Sequence, residues 1–162
     1  MRNQNFRAIA NSLGIEVNLI RKNSIHLGDL QNDCMIVAFS LMTGKPYNMI
    51  AESLNKIAAG NRDRTECSVG IDYVNEYNKN PNNKYIFTHL KKNGICYNII
   101  LKNRDKDLMF ITENHAFCYI KGKIQETKSN YLEADINGCK DSGFIFERRL
   151  RSKSYKFKKN RI

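Results

Sequence analysis

The sequence predicts an α+β fold, because two kinds of apolar periodicity occupy its two halves. Up to about residue 80, apolar residues recur at helical spacing. From Lys84 onward they alternate in short runs that read as strands and hairpins. We read one domain over residues 1–162, an N-terminal helical layer on a C-terminal antiparallel sheet, with no internal boundary. A chain of 162 residues is long enough for such a core.

Residues 4–13 place Phe6, Ile9, Ala10 and Leu13 on one helical face, closed by Gly14. Residues 15–20 alternate Ile15, Val17 and Leu19 with Glu16 and Asn18, as a short strand or extended arm does. The polar segment 21–33 leads into a helix from Cys34 through Met42, stopped at Thr43-Gly44. A second helix has Pro46 at its first turn and Tyr47, Ile50, Ala51, Leu54, Ile57 and Ala58 on its buried face, ending at Gly60. Residues 61–70 read as a loop and 71–77 as a short helix. Strands are expected at 85–90, 96–101, 108–112, 115–120, 123–127 and 144–150.

The longest near-continuous apolar run, Met35 to Met42, is far short of the roughly 18–20 residues a membrane-crossing helix needs. The polar start, Met1-Arg2-Asn3-Gln4-Asn5, lacks the apolar stretch of a signal peptide. The five cysteines, at 34, 67, 96, 118 and 139, are widely and irregularly spaced. With no Cys-x-x-Cys and no Cys/His knuckle, they read as reduced thiols of a cytoplasmic protein rather than a disulfide or zinc framework. No phosphate-cradling glycine loop and no His-Glu-x-x-His is present, so neither a nucleotide, a catalytic metal nor another cofactor is expected.

Charge is uneven. Residues 148–162 hold eight of the 27 Lys and Arg and no acid, and without them the net charge of +11 falls to +3. Such a segment can contact nucleic acid or another acidic surface. It reads equally as a solvated tail, or as an edge strand whose lysines deter edge-to-edge pairing.

Cys34 directly follows a turn-forming run and opens the apolar helix. A thiol at a helix N-terminus is favoured as its anion by the dipole and the unpaired N–H groups, although a cysteine here also serves as a small core residue. His115 lies in a strand followed by Lys121-Gly122, a two-residue hairpin turn, and the return strand 123–127. In that register Ile120 faces Lys123, Tyr119 faces Ile124 and Phe117 faces Glu126, so His115, Phe117, Tyr119, Ile124 and Glu126 share a face. Glu126 can then hold the imidazole in one tautomer and stabilise its cation. A one-residue slip substitutes Gln125 or Thr127, and Asn130 and Asp135 are more distant alternatives. His26 and His89 have no such neighbours in sequence.

Two blocks resemble a known family. Asn32-Asp33-Cys34 followed by the apolar helix, Thr43-Gly44 and Tyr47 is similar to the nucleophile helix of small papain-like cysteine peptidases of phage and bacterial genomes. His115-Ala116, the apolar run to Ile120 and Gly122 resemble the same family's histidine strand. The resemblance implies a papain-like fold and hydrolysis of a peptide or isopeptide bond in a protein or peptide substrate, in host cytoplasm or virion if phage-encoded. Cys34 would be the nucleophile and His115 its proton partner. Gln31, with the Cys34 backbone N–H, would stabilise the oxyanion, although Asn32 or Asp33 could point into the site instead. The family's third member is Asp or Asn, and Glu126 departs from that. The other reading is a non-catalytic papain-like binding or virion module whose basic segment contacts nucleic acid. Oligomeric state is not legible.

Overall fold

The computed structural model describes residues 6–20, 33–90, 96–112, 115–126 and 143–150. In chain order these form α1 (Phe6–Ser12), β1 (Glu16–Leu19), α2 (Cys34–Thr43), α3 (Tyr47–Ala58), α4 (Cys67–Lys79), β2 (Tyr85–His89), α5 (Cys96–Lys102), β3 (Asp107–Ile111), β4 (Ala116–Ile120), β5 (Lys123–Glu126) and β6 (Gly143–Arg148). The fold is mixed α+β. Its six strands form one sheet in the order β1-β5-β4-β3-β6-β2.

The sheet departs from the antiparallel layer expected of the C-terminal half. β1, from the N-terminal half, pairs parallel with β5, and the remaining pairs are antiparallel. Both faces are also covered. Met109, Ile111, Ala116, Cys118, Phe87 and Phe144 point into a core shared with α2, α3 and α4. Leu108, Phe110, Phe117, Tyr119 and Ile124 point the other way, against Ala10 of α1 and the apolar side of α5. The alternation along β3 and β4 therefore serves two cores, and their residues 108–111 and 116–119 are all buried.

Residues 96–101, expected as a strand, form α5. Its buried positions are Cys96, Tyr97, Ile99 and Ile100, the spacing of one helical face, and a six-residue segment is too short for its period to separate helix from strand. α4 also begins earlier than expected, at Cys67. The Asp63 carboxylate accepts both the Thr65 N–H and its hydroxyl at 2.9 and 2.8 Å, forming the turn before that start. β6 lies between β3 and β2, so residues 143–148 are an inner strand, while the edge-strand reading of the basic segment falls on residues 151–162, outside the described residues. Phe144 joins one core while Ile145 packs against the other.

α2 is the central helix, packed on β4 and β3 with α3 beside it. Its buried residues Met35, Ile36, Val37, Ala38, Phe39 and Met42 lie all around it, as expected for a helix covered on several sides. Phe39 alone meets Tyr73 of α4 at 4.6 Å and Phe87 of β2 at 5.7 Å between ring centroids. Burial of each such side chain is worth roughly 1.5–3 kcal/mol. The helix ends at Gly44, whose φ of 77° allows its N–H to reach the Ser40 carbonyl. Among the described residues no helix is long and apolar enough to cross a membrane.

Candidate functional site

Cys34 is the first residue of α2 and half-buried, whereas the next five residues are buried. The sulfur thus sits where the helix rises to the surface. Asp33, just before it, accepts the Val37 N–H through its carbonyl at 2.9 Å. Its side chain, 3% exposed, does not cap α2. Instead its Oδ2 accepts a hydrogen bond of 2.7 Å from the Tyr47 hydroxyl, which segment 44–46 brings back within reach at the start of α3.

His115 stands one residue ahead of β4. Its backbone is gripped from both sides by Thr112 at the end of β3. The Thr112 N–H and hydroxyl both donate to the His115 carbonyl, at 2.7 and 2.9 Å, while the Thr112 hydroxyl oxygen accepts the His115 N–H at 3.0 Å. The imidazole stacks on Phe117, with centroids 5.8 Å apart and planes at 21°.

Lys121 and Gly122 both have positive φ, 52° and 82°, as a two-residue hairpin turn of this hand requires. The pairing that follows is the one expected: Ile120 opposite Lys123, Tyr119 opposite Ile124 and Cys118 opposite Gln125. It carries Glu126, the last residue of β5 and 1% exposed, to the imidazole. Glu126 Oε2 lies 2.7 Å from His115 Nε2. The Cys34 thiol is close enough to His115 to raise its pKa.

Burial is the largest single influence on His115 and pulls its pKa down. The interactions with Cys34 and Glu126, with the negative charge of both, outweigh it, and the pKa rises above the ordinary histidine range. The imidazole is therefore biased toward its cation although it is buried. Cys118, in the middle of β4, has the opposite fate. It is fully buried, and burial with the charges of Glu126 and Asp107 pushes its thiol pKa far up, so it stays protonated.

The structure brings Cys34, His115 and Glu126 together. Gln31 and Asn32 lie outside the described residues, as do His26, Asn130, Asp135 and residues 151–162 of the basic segment. At the start of that segment, Arg148 closes β6, and the Arg149 guanidinium bonds the carbonyls of Asn78, Asn80 and Asn83. Arg149 thus serves the fold. Sequence reasoning did not single out Thr112, and it named Tyr47 without giving it a role beside Asp33. The signal for Tyr47 was its recurrence with the Asp-Cys pair in the resembling motif, and for Thr112 a hydroxyl residue closing the short connection before His115. No family model, curated protein or solved structure matches the chain.

Proposed function

We propose that the chain is a papain-like thiol hydrolase that cleaves a peptide or isopeptide bond. The observation that carries this reading is one buried imidazole bonded to a carboxylate and electrostatically coupled to a thiol at the first residue of a helix. A buried ion pair is a poor way to stabilise a fold, because apolar packing of equal volume does as well or better. Its presence beside a half-buried thiol supports a chemical role.

In the proposed reaction the Cys34 thiolate attacks the carbonyl carbon, forming a C–S bond and an oxyanion. The Cys34 backbone N–H, at the positive end of α2, faces that charge, and Gln31 is proposed as the second donor. The His115 imidazolium gives its proton to the amine nitrogen as the C–N bond breaks. Water then attacks the thioester, its proton passing to His115, and C–S cleavage regenerates the thiolate. Glu126 holds the ring and its charge throughout.

Peptide-mapped iodoacetamide labelling at about pH 6 tests the pair, because an ordinary thiol with a pKa near 8.5 is almost wholly protonated there. We expect Cys34 to label selectively in the wild type and slowly in His115→Ala. Cys34→Ala and His115→Ala should both abolish cleavage of peptide libraries, the first with the melting transition in place and the second with a lowered but still cooperative one, because it strands the buried Glu126 carboxylate. Cleavage retained by both variants would remove the proposal. A non-catalytic module contacting nucleic acid through residues 148–162 would show slow, uniform labelling, with salt-dependent binding lost on truncation.

A further inference from the structure

We infer that Tyr47 is a positioning residue for Cys34, acting by holding the Asp33 carboxylate away from the first turn of α2. This rests on the thiol-hydrolase reading for its purpose, though not for its geometry. Aspartate in the position just before a helix ordinarily turns its side chain back and accepts the N–H of the second or third helical residue. Here those residues are Met35 and Ile36. Asp33 has the right identity and place, but its backbone, at φ −99° and ψ 17°, is outside the extended conformation that capping uses, it makes no such bond, and its carboxylate is tied to the Tyr47 hydroxyl at 2.7 Å. Both partners are buried, at 3% and 5% exposure, so the bond is shielded from competing water.

The arrangement matters because of what a capping carboxylate would do at this helix. Swung onto the Met35 and Ile36 N–H groups, it would set a negative charge within one turn of the Cys34 sulfur. That charge disfavours the thiolate, and it offsets the positive helix end that faces a developing oxyanion. An ordinary helix gains from its cap; a helix that presents a nucleophile loses by it. Tyr47 resolves the conflict from the neighbouring helix, by offering the carboxylate a hydroxyl donor elsewhere.

Tyr47→Phe keeps the buried ring and removes only the donor. We expect Cys34 labelling at about pH 6 to slow by about two- to fivefold, the effect of one charge at a helix end. The Met35 and Ile36 amide resonances should shift downfield. Adding Asp33→Ala to Tyr47→Phe removes the displaced charge and should restore the rate to within about twofold of wild type. A purely structural role for Tyr47 predicts no such rescue.

Asp33→Asn, which keeps an acceptor for the hydroxyl, should label like wild type. An unchanged rate or unmoved amides in Tyr47→Phe, no rescue in the double variant, or a large loss in Asp33→Asn would each overturn the inference. If wild-type Cys34 labels no faster than Cys67, the hydrolase reading falls instead, and the amide shifts still decide whether Tyr47 withholds the cap.

Discussion

Cys34 and Cys67 occupy nearly the same local structure: each is the first residue of a helix, each is half-buried and each follows an acidic residue. Their surroundings differ. Glu66, before Cys67, is exposed, while Asp33 is buried and bonded to Tyr47. Cys34 faces an imidazole from a hairpin some 80 residues later in the chain, itself backed by a buried carboxylate. The first turn of a helix sets a bias; long-range partners convert the bias into a site. The two helix starts also touch, since a Cβ on Gly70, one turn into α4, would run into the Met35 side chain next to Cys34.

The strongest way to erase the difference between the two thiols is to remove the carboxylate behind the imidazole. Glu126→Ala leaves a buried imidazole without its counter-charge and should cost about 3–5 kcal/mol in denaturant unfolding, as broken buried pairs do. Cys34 labelling should fall to the Cys67 rate. Glu126→Gln retains a hydrogen-bonding group of the same shape but not the charge, and the His115 titration followed by NMR should move back toward the ordinary range.

Thr112→Val should act more mildly. It removes the hydroxyl that both donates to and accepts from the His115 backbone, leaving a buried N–H poorly satisfied at a cost of about 1–3 kcal/mol. Thermal melting should show that loss, with slower Cys34 labelling, and Thr112→Ser should recover both. Gly70→Ala tests the contact between the two helix starts. Ile111 Cδ1 would lie 3.1 Å from the new methyl group, but Met35 is flexible, so we expect about 1 kcal/mol, at the low end of overpacking costs.

The gentlest probe is pH. His115 titrates above its unfolded value, so its charged form stabilises the fold. That contribution is fully present below the unfolded histidine pKa of about 6.5 and is lost as pH rises through the raised folded value. Melting curves between about pH 5 and pH 9 should show this component in the wild type and a smaller one in Glu126→Gln.

The hairpin was legible because its determinants are local: Lys121-Gly122 sets the turn, the turn sets the register, and the register carries Glu126 to His115. The helices α2 and α3 were legible from their own periodicity and stops. Where residues answer to distant partners, the sequence was silent or misleading. Cys96, Tyr97, Ile99 and Ile100 look strand-forming because β-branched and aromatic residues suit any buried surface, and here that surface is a helix against the sheet. The start of α4 was hidden by a glycine whose absent side chain matters only once Met35 is packed against it. The parallel pairing of β1 with β5 leaves no signal in either strand. Cys34 and His115 could be nominated separately from their settings, but only the tertiary structure joins them.

That parallel pairing has a consequence for the order in which the protein is made. β1 emerges from the ribosome early, yet its partner strand includes Glu126, so the two must wait for one another across more than 100 residues. Cys34 likewise precedes His115 by about 80 residues. At 5–20 residues per second this is roughly 4–16 s during which the nascent chain carries a thiol and no base. The thiol thus waits for the hairpin that brings His115, as β1 waits for β5.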